Sequence, residues 1–145
     1  MQQPTQITPS LSVAGQISKS DIAELAKSGF AMIINNRPDN EEPGQLTAAE
    51  AEAEAKQQGL QYRYLPIVTG SITRAQVVEF QKLVLRGPNP VLAHCRSGTR
   101  CYLMWAAGRA LFDGESALKL VAEAAVKGYD LRALPALVEK LQGER

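Results

Sequence analysis

The residues His94-Cys95-Arg96-Ser97-Gly98-Thr99-Arg100 hold a thiol and a guanidinium at the two ends of one short loop. Apolar Pro90 to Ala93 leads in and Tyr102 to Ala107 leads out, so the segment reads as strand, tight loop and helix start. Backbone N–H groups in a first helical turn have no intrahelical partner and lie at the positive end of the dipole, where anions gather. A thiol placed there beside arginines drops from its ordinary pKa of about 8.5 to roughly 3.5–7.5. Cys95 is therefore expected to be a thiolate nucleophile, and Arg100 to hold an oxyanion with its planar donor fork. Arg96, Ser97, Gly98 and Thr99 form the anion-binding loop between them, Gly98 taking a backbone conformation closed to residues with a Cβ. On extended backbone His94 must point away from Cys95, so it is expected to orient the loop by hydrogen bonding rather than to act as a base.

The elements that must position this loop alternate. Ile7 to Ala14 reads as an edge strand or hairpin, Ser18 to Lys27 as a helix capped by Ser18 or Ser20 and ended by Gly29, and Phe30 to Asn35 as a buried strand. Thr47-Ala48-Ala49-Glu50 is a capping box opening a helix to Gln58, and Gln61 to Ile67 is the next strand. Thr73 and Gln76 form a second box, before a helix that buries Val77, Phe80 and Val84. Pro90 to His94 is the last strand, and helices over Arg100 to Phe112, Ser116 to Lys127 and Leu131 to Leu141 follow. Strand and helix in alternation predict an α/β fold: a small parallel-core sheet flanked by helices, in a single domain spanning 1–145. Ligands bind beyond the carboxyl ends of such strands, so loops 37–45, 68–73 and 95–100 are expected to converge. Asp39, Glu41 and Glu42 would then overhang the thiolate, with solvated turn residues the equally weighted alternative.

Composition limits the classes of partner. The 145 residues are long enough to bury a core without staples, and a net charge of +1 gives no overall footprint for nucleic acid or an anionic membrane. Neither a basic, apolar leader nor a membrane-length apolar run stands out, so a cytoplasmic protein is expected. Two cysteines and one histidine cannot close a structural zinc site without carboxylates; no metal and no cofactor is expected.

Cys-x4-Arg with Gly98 inside resembles the active-site loop of rhodanese-type sulfurtransferases. The preceding His94 is similar instead to the cysteine-dependent tyrosine and dual-specificity phosphatases, whose loop has one residue more. From Ser12 to Ile17, through Ile33 to Asp39 and Glu41 to Gln45, to the loop itself, the chain resembles the bacterial phosphatase-like domains also found fused to beta-lactamase-like hydrolases and linked to sulfide and persulfide metabolism. That resemblance implies a dual-specificity-phosphatase-like architecture. In the phosphatases the acid for the leaving oxygen is an Asp on the loop after the preceding core strand, here Val68 to Thr73, which contains no carboxylate. Only Asp39 or Glu41 could substitute. In both loop types the residue after the arginine is commonly Ser or Thr, whose hydroxyl bonds the thiolate; here it is Cys101, a weaker donor that could also resolve an oxidised Cys95 as an internal disulfide or be a packing residue alone.

The shorter loop suits a single sulfane sulfur better than a tetrahedral phosphate, and a sulfite or thiolate leaving group needs no acid. The expected activity is accordingly sulfur transfer through a Cys95 persulfide, from a small anionic donor such as thiosulfate or glutathione persulfide to a thiol or sulfite acceptor. The alternative is hydrolysis of a phosphate ester through a phosphocysteine, with Asp39 or Glu41 as acid. A third reading is a catalytically silent anion-binding or redox-sensing module.

Overall fold

Residues 3–144 are described by a computed structural model; Met1, Gln2 and Arg145 of the predicted 1–145 unit lie outside the described residues. The elements run β1 (Thr5–Thr8), β2 (Leu11–Ala14), α1 (Lys19–Lys27), β3 (Met32–Asn35), α2 (Ala48–Gln57), β4 (Gln61–Tyr64), α3 (Arg74–Arg86), β5 (Val91–His94), α4 (Thr99–Asp113), α5 (Ala117–Val126) and α6 (Leu134–Gln142). The capping residues act as the sequence predicts. Ser18, Thr47 and Thr73 each accept from the backbone N–H three residues on, and Asp21, Glu50 and Gln76 reach back to close the box. Pro135 stands in the first turn of α6, where its missing N–H is not needed, so that helix starts three residues after the predicted Leu131.

The strands lie in the order β1-β2-β5-β3-β4, with β1 antiparallel to β2 and the rest parallel. β5 is thus inserted between β2 and β3 and becomes the central strand. Val91, Ala93 and Cys95 face a core shared with Val77, Phe80 and Val84 of α3, most of α4, and Leu120, Leu134 and Leu141 of α5 and α6. Leu92 faces the opposite core, with Ile22 and Leu25 of α1 and Ala48, Ala51 and Ala55 of α2. The alternation along β5 therefore sends the Cys95 side chain toward the α3–α6 layer and that of His94 toward α1 and α2.

The helix leaving the loop is fixed along its length as well as at its start. Gln81 of α3 is buried and donates through Nε2 to the Trp105 carbonyl of α4 at 2.9 Å. It reaches that carbonyl over Gly108, where a Cβ would overlap the Gln81 amide.

Candidate active site

Cys95 is the first residue past the central strand, and both neighbours hold its loop. Its amide donates to the Ala14 carbonyl at the end of β2 (3.3 Å), while the Asn36 amide, at the end of β3, donates to the His94 carbonyl (2.8 Å). The Gln16 amide donates to the Arg96 carbonyl at 3.2 Å. Gly15 permits that approach, since a Cβ there would stand 2.9 Å from the same oxygen. Gly98 has φ +93°, and its amide donates to Cys95 Sγ at 3.0 Å. A Cβ on Gly98 would crowd Tyr129 at 3.1 Å and the Ala14 carbonyl at 3.3 Å. The first hydrogen bond of α4 runs from Tyr102 N to Gly98 O, so the amides of Thr99, Arg100 and Cys101 have no intrahelical acceptor.

Cys95 is 1% exposed and its thiol is nevertheless drawn down to about 5. The largest cause is a hydrogen bond from the Cys101 thiol; burial opposes it, and the amides of Cys101, Ser97 and Gly98 add to it. The sulfur thus sits as a thiolate in a ring of donors. Cys101 is fully buried, and burial first, then the adjacent thiolate, pushes its own thiol well above the ordinary range, so it stays protonated and donating.

Arg100 closes the other end of the cradle. Its Nη1 donates to Glu41 Oε2 (2.8 Å) and to the Ile67 carbonyl (2.9 Å), and its Nη2 to Glu41 Oε1 (2.8 Å). Of the five guanidinium N–H groups these bonds use both on Nη1 and one on Nη2. The Nε–H and second Nη2–H lie side by side on the other edge, the geometry that grips two phosphate oxygens, and the guanidinium also interacts with the Cys95 sulfur. Glu41 is held down to about 2, chiefly by Arg100, against burial and with help from Arg37.

Arg37 is 3% exposed, an unusual place for a charge. It is satisfied on three sides: Nε donates to Glu41 Oε1 (2.9 Å), Nη1 to Gln16 Oε1 (3.0 Å) and Nη2 to Glu42 Oε1 (2.6 Å). Glu41 Oε1 consequently bridges Arg37 and Arg100, so the position of the Arg100 guanidinium is set by a partly buried ion network. Arg96 is largely exposed and meets Glu42 at 3.5 Å on the rim. Ser97 and Thr99 join through their hydroxyls at 3.1 Å. A cleft of about 710 Å³ opens above the loop, with Arg96, Ser97, Thr99 and Arg100 on one side and Val68, Leu103 and Leu131 supplying apolar walls.

The family is decided by the sequence around this cradle: residues 5–112 match the profile described as the phosphatase-like domain of beta-lactamase hydrolase-like protein. The chain belongs to that phosphatase-like family. Beta-lactamase hydrolase-like proteins of Agrobacterium fabrum and Xylella fastidiosa are 39% and 33% identical to it over 74% and 86% of this chain. The matched region spans only 25% and 29% of those proteins' own length. A candidate phosphatase from Neisseria meningitidis shares its fold with a TM-score of 0.83 at 30% identity, covering 94% of this chain and 96% of the other. TpbA of P. aeruginosa, solved with phosphotyrosine, superposes with a TM-score of 0.62 at 19% identity, over 94% of this chain and 90% of the TpbA chain, a likeness of fold. The α/β architecture of cysteine phosphatases expected for this chain is thus the one it has.

These findings overturn the expectation of sulfur transfer, and with it the sulfur donor and the thiol or sulfite acceptor: the family and its solved relatives are phosphatase-like. Loop length counts residues between Cys95 and Arg100, whereas the donors around the sulfur are the Ser97 and Gly98 amides of the loop together with the amide and thiol of Cys101 in the first turn of α4. The structure also gives the two suggested acids other partners. Asp39 Oδ1 accepts from the Ala48 amide at 2.8 Å, tying down the start of α2, and Glu41 is committed to Arg100 and Arg37. His94 is buried and points away from Cys95 as expected, but neither ring nitrogen has a hydrogen-bond partner among the described residues. Its carbonyl carries the contact to β3, and burial holds the ring neutral, with its pKa down to about 4.

Gln16, Tyr129 and Asp130 also stand at the candidate site without having been singled out in the sequence, and Arg37 was expected there only as the first residue of the 37–45 loop. Arg37 ends an apolar strand with Glu41 and Glu42 four and five residues on, a pattern that hints at pairing only once the loop is known to fold back. Nothing in the sequence places Tyr129 and Asp130 near a loop thirty residues earlier. No helix among the described residues is long and apolar enough to cross a membrane.

Proposed function

We propose that the chain is a cysteine-dependent phosphatase acting on phosphate monoesters through a phosphocysteine. The observation that carries the reading is the pairing of a thiolate ringed by amides with an arginine that interacts with the same sulfur and keeps one donor edge clear of Glu41. Three equatorial phosphate oxygens need such donors as charge builds on them during transfer, and fixed dipoles in place beforehand supply them without reorganisation. Cys95 Sγ attacks phosphorus from the floor of the cradle, the ester oxygen leaves toward the cleft with the bonding electron pair, and Arg100 with the loop amides holds the transferring group. Water then displaces Sγ, releasing inorganic phosphate and restoring the thiolate. Glu41 acts as a positioning residue, holding the guanidinium plane so that its free edge meets the phosphate. The apolar walls Val68, Leu103 and Leu131 favour an ester with an aryl or other apolar group next to the phosphate.

Rapid acid quenching of the protein mixed with radiolabelled 4-nitrophenyl phosphate tests this directly. The label is expected on the Cys95 peptide within one turnover, and the Cys95→Ser protein, folded and unlabelled, is expected to release no phosphate. Turnover by Cys95→Ser at the native rate, or no phosphate release by the native protein, refutes the reading.

A further inference from the structure

An ester oxygen leaving as an alkoxide or phenolate needs a proton, and the loops around the cradle have none to give. The 68–73 loop carries no carboxylate, Asp39 is bound to the Ala48 amide, and Glu41 is paired twice. The cleft has one more carboxylate on its wall, from the turn between α5 and α6: Asp130, opposite Ser97, Thr99 and Arg100. Both of its neighbours are pinned. The Tyr129 amide bonds the Ala124 carbonyl at 2.9 Å, its ring lies 5.3 Å from that of Tyr102, and it fills the space a Cβ on Gly98 would need. Leu131 is sunk in the core and accepts from the Leu134 amide at 2.9 Å. Residue 130 is therefore held beside the phosphate cradle while its side chain, 57% exposed, faces outward.

Resting on the phosphatase reading, we infer that Asp130 is the general acid that protonates the leaving oxygen, and the base that deprotonates water in the second step. When the P–O bond breaks, its electron pair goes to the ester oxygen and the Asp130 proton follows it, leaving a carboxylate. That carboxylate takes a proton from the water that attacks phosphocysteine, so Asp130 is acidic again as phosphate departs. Its carboxylate accepts from the Arg132 amide at 3.0 Å, from Arg132 Nε at 3.0 and 2.9 Å and from Nη2 at 2.8 Å; these contacts lie in solvent, where such pairs are weak, and yield to an entering substrate. Arg132 on its own turn is the charged group in contact with Asp130, and Arg96, Arg100 and Glu41 line the same cleft. Arg132 holds the carboxyl below its ordinary value in the free protein, so the acid form prevails only at low pH and turnover falls as pH rises. Asp130 also lies beyond residues 5–112 that define the family, so the acid comes from a part of the chain the family profile does not cover.

The test is kcat/KM, which reports phosphoryl transfer to Cys95 and not hydrolysis of the shared phosphocysteine, for Asp130→Asn and Asp130→Glu on two substrates: 4-nitrophenyl phosphate, whose phenolate leaves readily, and phenyl phosphate, whose leaving phenol resembles tyrosine in acidity. Loss of a general acid is expected to lower kcat/KM on phenyl phosphate by ~10²–10⁴ in Asp130→Asn, with a far smaller drop on the nitrophenyl ester. The decline of kcat/KM on phenyl phosphate with rising pH should be weaker in Asp130→Asn than in Asp130→Glu. Equal losses of kcat/KM on both substrates, or unchanged kinetics, refute the role of Asp130 while leaving the phosphatase reading intact. A native protein that shows no Cys95-dependent phosphate release on either ester refutes both.

Discussion

Replacing Cys101 by alanine removes the donor that does most to keep the Cys95 sulfur ionised, and the size of the effect follows from the site. A hydrogen bond to a charged acceptor contributes ~1.5–3 kcal/mol, with a thiol at the low end as a weak donor. At 1.36 kcal/mol per unit this moves the Cys95 pKa up by ~1 from its value of about 5, because the amides of Ser97, Gly98 and residue 101 remain. At pH 7 the sulfur stays almost fully ionised in both proteins and turnover scarcely changes. At pH 5 the thiolate fraction falls from about half to about a tenth, which is where the difference is measured. The assay is the rate of iodoacetamide alkylation of Cys95 between pH 4 and 8, with Cys101 too weakly acidic to compete. Cys101→Ser, whose hydroxyl is a better donor, should lie at or below the native midpoint. An alanine variant with the native midpoint, or a serine variant shifted upward beyond alanine, refutes the assignment of Cys101 as principal donor.

Glu41→Gln removes the charge that orients Arg100, so kcat/KM should fall ~10–100-fold, as for a lost charge-assisted bond, while Cys95 alkylation at pH 7 stays near the native rate. Because Glu41 is held down to about 2, its stabilisation is complete above its ordinary value of 4.5 and is lost as pH falls from there toward 2; thermal melts of Glu41→Gln should lack that segment. His94 has the neighbouring window. Its ring binds a proton more readily unfolded than folded, so stability drops as pH falls from 6.5 to about 4 and levels off below; His94→Leu should flatten that segment by on the order of 3 kcal/mol. Mild peroxide should convert Cys95 to a sulfenic acid that the Cys101 sulfur closes into a disulfide with loss of water, seen by mass spectrometry as joined peptides. Sulfinic acid building up on Cys95 equally in native protein and in Cys101→Ser would leave Cys101 as donor alone.

The helices and the cradle could be read from the sequence because they depend on neighbours in the chain. Ser18, Thr47 and Thr73 announce helix starts through residues three positions on, and Cys95 to Arg100 carry nucleophile, turn and anion fork within one loop. The strand order could not be read this way. That β5 enters between β2 and β3 depends on which strands bury their faces together, and with it comes the contact of Gln16 with the loop and the burial of Arg37. Loop length misled for a related reason: it measures spacing along the chain, whereas the ring around the sulfur combines the Ser97 and Gly98 amides with the thiol and amide of Cys101 from the helix that follows. Asp130 reaches the cleft through two intervening helices and the packing of Tyr129 under Gly98, none of which leaves a trace in local pattern.

The Gln81 amide seated over Gly108 has a consequence for the whole layer of helices. A helix in a greasy interface can slide, since one apolar ridge resembles the next, but α4 cannot move by even one 1.5 Å step without driving the amide into a neighbouring side chain. It behaves as a keyed shaft with a single permitted setting. The amide ring that faces the Cys95 sulfur is the end of that shaft, so its height relative to the sulfur is gauged almost three turns away, by a residue of α3 that never meets a substrate. A side chain introduced at Gly108 would therefore reset the cradle from within the core, leaving every residue of the cleft unaltered in identity and displaced together.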